Sequence, residues 1–393
     1  MGDELPALVF RHGARSQEYS YPADPNPVSA WPRGYGQLTT VGQQQHYDLG
    51  HLFKQRYGHL VSNRYQPDEV YVRSSDYDRT IMSAEANLAA IFPPSGDEVW
   101  QPDLPWQPLP VHAVPKKYDN IIYVDGECSR YDQLKEENYF NAGTFYEQNQ
   151  EFIDRYIALA GYEITDDIRQ RITDIWDLYD PLFCQMTNNM TMPVWATEEV
   201  IEQLETLYTS KYIFNFGTLN ILHLRAGPFF NDLIQLMEKS ITTDDKRKIT
   251  IYSGHDVTLV VYLMAMGVYN HLQAPYASSV IFELHEIDSE FKVKVLFKND
   301  TVTDPGNDPV ELQLPGCDGT CTYNEFVSLM RPIVFTGSFE DWNEACKPSD
   351  ESKFSWLGII LSAVILLVLA LAVIAILLRN RHRSRNPNHY DNV

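Results

Sequence analysis

The chain has 393 residues, with 53 Asp+Glu against 31 Lys+Arg for a formal net charge of -22, and 44% of its residues are hydrophobic and 12% aromatic. That composition excludes wholesale disorder, and the length accommodates roughly two to three domain-sized units. The acidic balance excludes nucleic acid as the main partner, because phosphate backbones are held by clustered Lys and Arg.

Taken in chain order, residues 7–10 (ALVF) are a short apolar run that predicts a buried strand, followed at once by Arg11-His12-Gly13-Ala14-Arg15. A Pro-rich loop covers 22–32, and Gly34-Tyr35-Gly36 lacks the third glycine and the preceding strand of a dinucleotide fingerprint. A helix is predicted to start near Thr39 or Thr40, with Leu49, Leu52 and Phe53 on one face. Residues 70–72 (VYV) predict a second strand running into 73–79, after which Ile81, Ala84, Leu88 and Ile91 recur at helical spacing. Residues 145–178 and 197–240 read as helical, interrupted by Pro181, Pro193 and Gly217, and form a predicted helical cap over approximately 130–240. Residues 249–252 (ITIY) predict a third strand leading through Ser253 and Gly254 to His255-Asp256, then an apolar helix from about Thr258 to Met266. Residues 278–298 alternate as a hairpin with Asp288-Ser289-Glu290 at its turn. There is no internal repeat, P-loop, HExxH, GxSxG or EF-hand pattern.

Three predicted strands therefore end in ionisable clusters, and open α/β sheets place ligands beyond the carboxyl ends of their strands. One sheet would converge Arg11, His12, Arg15, Arg79, His255 and Asp256. Guanidinium groups bind tetrahedral oxyanions with forked, permanently charged donors, so a phosphate monoester is the natural ligand. A neutral imidazole attacks phosphorus and a carboxylic acid protonates the leaving oxygen. The arginines supply the charge stabilisation that Mg²⁺ provides elsewhere, so neither a metal nor a cofactor is expected. Neighbouring arginines depress the His12 pKa, whereas Asp256 must carry a proton, which moderate acidity and a bound phosphate both encourage. The optimum is expected below neutrality.

Arg11-His12-Gly13-Ala14-Arg15 resembles the RHGxR signature of the histidine acid phosphatases, and His255-Asp256 their distal HD pair. WPRGYGQLT, RSSDYDRT, PVHAVP, YDPLFC, WATEE and LPGCDGTC resemble the prostatic and lysosomal branch, and the similarity runs over nearly all of residues 5–346. The resemblance implies a mixed α/β sheet flanked by helices with an inserted, mainly helical cap, within a domain covering 1–346. It implies that His12 forms the phosphohistidine, that Asp256 donates the proton, and that Arg11, Arg15, Arg79 and His255 hold the phosphate. Small-molecule or protein phosphomonoesters are the implied substrates, and a homodimer the implied assembly. HD in place of HAE favours a general acid phosphatase over a phytase. By similarity Cys128 pairs with Cys346 and Cys317 with Cys321, while the partner of Cys184 falls at Ser279 and leaves that thiol unpaired. The sequence departs from the usual pattern at Ala14 and in having Ser16-Gln17 after Arg15, and neither change removes a reacting group. His46, His51, His59, His112, His223, His271 and His285 have no comparable setting and read as structural or surface residues. A catalytically weak surface glycoprotein is the alternative, and the intact His12, Arg15 and Asp256 count against it.

Residues 356–378 are a 23-residue run without an ionisable side chain, long enough at 1.5 Å per residue to cross a hydrocarbon core of about 30 Å. A polar stalk (347–355) precedes this span, and a tail (379–393) with Arg379, Arg381, Arg383 and Arg385 against Asp391 follows it. Residues 1–355 carry 27 basic and 52 acidic groups, so the positive-inside rule puts the tail in the cytosol and the globule outside or in a lumen. Residues 1–10 show no basic n-region and no apolar h-region, which leaves either a truncated or processed start or a tail-anchored chain facing the cytosol. The glycosylation triplets at Asn189 and Asn299, with the tail arginines, favour the lumenal, type I arrangement. Tyr390-Asp391-Asn392-Val393 has the form of a sorting signal, which predicts a lysosomal or endosomal membrane or the cell surface.

Overall fold

In the computed structural model, residues 4–138, 142–300, 308–348 and 364–379 are described, and the chain divides into two units, Met1–Cys346 and Lys347–Val393. The first unit is built on one mixed sheet. Strand β1 (Glu4–Arg11) lies parallel to β4 (Ile249–Gly254) on one side and antiparallel to β5 (Ser279–Ile287) on the other. Beyond β4 the parallel half continues through β2 (Val70–Ser75) to the edge strand β3 (His112–Val114). The antiparallel half continues through β6 (Glu290–Lys298), which pairs with β7 (Val310–Glu311) and β8 (Cys321–Thr322). In the β5–β6 hairpin, Ile287 faces Glu290 across the two residues Asp288 and Ser289, whose φ values of 53° and 65° give the primed turn that matches strand twist.

The period of two in β1 decides which side chain faces which layer. Leu8 and Phe10 pack with Leu49 and Phe53 of α1 (Thr40–Tyr57) and with Ala84 and Leu88 of α2 (Asp78–Ile91). Leu5, Ala7 and Val9 pack on the opposite side with Phe229 and Phe230 of α8 (Gly227–Thr242) and Tyr262 of α9 (Asp256–Ala265). Each fully buried Leu, Val or Phe among them contributes roughly 1.5–3 kcal/mol. With both faces covered, the central parallel strands are near-continuous apolar runs.

Between α2 and α8 lie α3 (Ser129–Asn138), α4 (Ala142–Leu159), α5 (Ile168–Thr187), α6 (Glu198–Phe216) and α7 (Leu219–Arg225), with α4, α5 and α6 sharing a core around Ile153, Ile157, Ile175, Trp176 and Leu204. Pro181 does not interrupt this region: α5 runs through it to Thr187, with Pro181, Leu182 and Cys184 all buried. Packing on the apolar face outweighs the loss of one N–H donor. Helices α10 (Tyr323–Met330) and α11 (Phe339–Ala345) close the unit. Cys128 bonds to Cys346 across a sequence separation of 218, a closure on the order of 5 kcal/mol in the chain-entropy account, and Cys317 bonds to Cys321. Cys184 is free and buried. Asn189 and Asn299 are exposed, while Thr301 of the second triplet lies outside the described residues.

In the second unit, residues 364–379 form a helix whose large apolar side chains, from Val364 to Leu378, are exposed. Among the described residues no helix is long and apolar enough to cross a membrane. Residues 349–363, covering most of the stalk and the start of the expected span, and residues 380–393, with Arg381, Arg383, Arg385 and Tyr390, lie outside the described residues.

Candidate active site

The sheet changes from parallel to antiparallel at β1, and the carboxyl ends of β1, β2 and β4 open onto one cleft of about 260 Å³ lined by His12, Arg15, Arg79, His255 and Asp256. Arg11 closes its inner wall, with Nη2 3.3 Å from Asp256 Oδ2. The segment leaving β1 is stitched to both neighbours: the His12 N–H donates to the Gly254 carbonyl (3.0 Å) and the Ala277 N–H to the His12 carbonyl (3.2 Å). Gly13 then passes against α1 so closely that a Cβ would lie 2.2 Å from the Gly42 carbonyl oxygen, and a Cβ on Gly42 would meet Ala14 as tightly. The two glycines let helix and strand end touch backbone to backbone.

His12 is buried, and its Nδ1 lies 2.8 Å from the Gly13 carbonyl oxygen. A carbonyl only accepts, so Nδ1 carries the proton and the lone pair resides on Nε2. Burial first, then Arg79, Arg11, His255 and Arg15, hold the His12 pKa well below the usual imidazole range. The ring therefore stays neutral in acid. Its neighbour His255, with ring centroids 5.5 Å apart, caps the start of α9 and places Nε2 2.9 Å from Ser75 Oγ at the end of β2. Burial and Arg79 depress its pKa as well.

The three arginines are held by different means. Arg11 donates through Nη1 to the Ala274 carbonyl and stacks 4.1 Å over the Tyr276 ring. Arg15 forms a fork with Asp180 (3.1 and 2.8 Å) and also donates to Cys184 Sγ (3.2 Å). Arg79, in the first turn of α2, pairs with Glu18 (2.7 Å) and stacks 4.5 Å over Tyr77. Buried Nε–H groups on all three, with Nη2 of Arg11, have no hydrogen-bond acceptor. Buried Nε–H groups of Arg73, Arg225 and Arg247 also lack acceptors, so this feature is not confined to the cleft; what is particular to the cleft is that Arg15 and Arg79 both line it beside His12.

Asp256 accepts from Gln273 Nε2 (2.8 Å) and from the Val257 N–H (2.7 Å). Burial pushes its carboxyl upward, but Arg11, Arg15, the Val257 N–H and His255 outweigh it and hold the group well below the ordinary carboxylate range. Of the two influences expected to favour a proton on Asp256, moderate acidity and a bound phosphate, this geometry gives the larger part to the phosphate, which opposes the field of Arg11 and Arg15. Cys184 is an inert small neighbour, its thiol pushed up to about 12 by burial.

The six expected residues meet, and others that sequence reasoning passed over join them: Asp180, Glu18, Ser75, Gln273 and Tyr276. Asp180 carried a signal, a carboxylate inside the otherwise apolar run 178–184, where a buried charge requires a partner. Gln273 and Tyr276 lie in an irregular loop with no periodicity to mark them.

The family pattern described as "Histidine phosphatase superfamily (branch 2)" matches residues 7–298. The chain is 36% identical to the lysosomal acid phosphatase of Xenopus laevis over 92% of its length and 83% of the relative's. It is 39% identical to the prostatic acid phosphatase of Rattus norvegicus over 86% and 87%. The lysosomal acid phosphatase of Homo sapiens is 38% identical over 92% and 85%. Among solved structures, the Hafnia alvei phytase in complex with myo-inositol hexakis sulphate superposes with a TM-score of 0.67 at 17% identity, covering 85% of this chain and 98% of that one, a likeness of fold. Site and relatives agree: the chain belongs to branch 2 of the histidine phosphatase superfamily and is an acid phosphatase.

Proposed function

We propose that the chain hydrolyses phosphate monoesters through a phosphohistidine on His12, with Asp256 as proton donor, in acid and without a metal. The observation that carries this reading is the pinned His12 tautomer in a cleft that Arg15 and Arg79 also line. Nε2 attacks phosphorus, the ester P–O bond breaks as the N–P bond forms, and the leaving oxygen takes the proton of Asp256. Water then attacks the phosphohistidine, its proton passing to Asp256, and inorganic phosphate leaves. Arg11, Arg15, Arg79 and His255 hold the equatorial oxygens. The fields of Arg11 and Arg15 on Asp256 are those a phosphate cancels, so substrate binding restores the carboxyl's pKa. A monoester with its second pKa near 6 also brings a proton in mild acid.

The test is hydrolysis of a generic aryl phosphate by the full chain in detergent, from pH 4 to 8 with chelator, followed by alkaline quench after labelled substrate. Label retained by the wild type and absent from His12→Ala supports the reading. An alkaline optimum or loss of activity with chelator contradicts it.

For location, the reading is a type I protein of the lysosomal or endosomal membrane or the cell surface, spanning at 356–378. The lysosomal relatives, the apolar run and the helix at 364–379 support it. Glycans on Asn189 and Asn299 in a eukaryotic host distinguish this from a cytosolic globule, which would carry none. A homodimer would suit the edge strand β3, near which Trp100, Leu104 and Trp106 are exposed.

A further inference from the structure

Besides the groups around His12, the cleft is lined by Asp125, Asp177, Tyr123, Tyr208 and Lys211, against which an ester's alcohol would lie. Its charges are unevenly matched. Of the cations on the lining, Arg15 is committed to Asp180 (2.8 Å), Arg79 to Glu18 (2.7 Å) and Lys211 to Asp177 (3.4 Å). Asp125 lines the same cleft with neither a cation nor a hydrogen-bond donor in contact among the described residues. Tyr123 and Tyr208 line the same cleft. Aromatic faces in this region already gather cations: the Tyr77 ring has Arg79 at 4.5 Å and Lys116 at 3.5 Å. Aromatic rings beside an uncompensated carboxylate recognise ammonium groups. Once a phosphate occupies the arginines, the charge left over on the alcohol side is negative.

Resting on the phosphatase reading above, we propose that the alcohol side of the cleft is a cation subsite, with Asp125 and Tyr123 selecting phosphate monoesters whose leaving alcohol bears an ammonium group. Esters carrying a second anion on the alcohol are disfavoured. Asp125 is exposed, so its carboxylate is accessible to a ligand cation in the cleft.

Three esters of matched length test it with the full chain in detergent, at pH 6 and low ionic strength: O-phosphoethanolamine, propyl phosphate and 3-phosphonooxypropanoate. The wild type is expected to rank kcat/KM as cation, neutral, anion, with about 10-fold or more between the extremes. Asp125→Asn should draw the extremes to within about threefold, and Asp125→Lys should invert the order. Each variant's own propyl phosphate rate is the internal reference, and the wild-type series needs no variant at all. Hydrolysis of propyl phosphate without cation preference overturns the subsite and leaves the phosphatase reading intact. Preference for the anion also overturns it and directs the alcohol toward Lys116 and Lys117, in the hollow beyond Tyr123. If none of the three esters nor an aryl phosphate is cleaved, the phosphatase reading falls and the subsite with it.

Discussion

Two buried clusters of similar chemistry lie along the same strand. Near the start of β1, opposite Pro6, Glu283 accepts from Tyr57 (2.6 Å), from Arg56 Nε (3.0 Å) and Nη2 (2.9 Å), and lies 2.9 Å from His285 Nε2. Past its end, Arg11, His12, Arg15, Arg79, His255 and Asp256 use the same kinds of group. The first cluster leaves no buried side-chain atom without a partner, and there burial is outweighed by His285, Tyr57 and Arg56, which bring Glu283 to about 2. The second leaves four arginine nitrogens without acceptors. Access to the cleft separates them: none of Arg56, Tyr57, Glu283 and His285 lines it, whereas His12, Arg15, Arg79, His255 and Asp256 all do.

The strongest way to break this contrast is at the proposed nucleophile, His12. His12→Ala should lower kcat on an aryl phosphate by on the order of 10⁴-fold or more, with no labelled intermediate. Retained turnover would remove His12 from the chemistry. Next in size, Asp256→Asn should cost about 10²–10³-fold on alkyl phosphates and markedly less on esters whose phenol leaves without a proton. An equal loss on both would make Asp256 a positioning group.

At the other end of β1 the expected effect is on stability. Glu283→Gln strips Arg56 of its carboxylate and should cost about 2–3 kcal/mol in urea unfolding, below the range for fully buried pairs because Arg56 is 33% exposed. kcat should stay within about twofold, since no residue of this network lines the cleft. A large fall in kcat with stability preserved would show that the two ends of the strand are coupled.

The legibility of the two ends differs for a physical reason. Strands β1, β2 and β4 are visible as unbroken apolar runs because both faces of the parallel half are covered, and His12, Arg79 and His255 directly follow or closely trail them. The partners that orient this site are not visible. Asp180 reaches Arg15 across 165 residues and Gln273 reaches Asp256 from a loop, contacts set by tertiary packing and carrying no local periodicity. The Glu283 network was missed for the same reason: a lone carboxylate in an alternating strand reads as its solvent face, yet both faces of β5 are covered at that point. Pro181 misled in the opposite direction, as a local breaker overridden by the buried face of α5.

The smallest effect is also the one that separates the two clusters by pH. His12 is held neutral in the folded chain with its pKa well below 6.5, whereas in the unfolded chain it titrates near 6.5. Below that value the unfolded state binds the additional proton, so the stability associated with this histidine falls as pH falls. Glu283 also loses stability in acid, but only below about 4.5, as its folded value is about 2. Between pH 6 and 5 the His12 contribution is therefore distinguishable from that of Glu283. Over that interval the wild type should lose about 1.4 kcal/mol per pH unit more than His12→Ala, and added inorganic phosphate should offset part of the loss by binding the folded state. Equal slopes for the two proteins would mean that His12 takes up its proton in the folded chain near pH 6, and a nucleophile protonated there could not sustain turnover in acid.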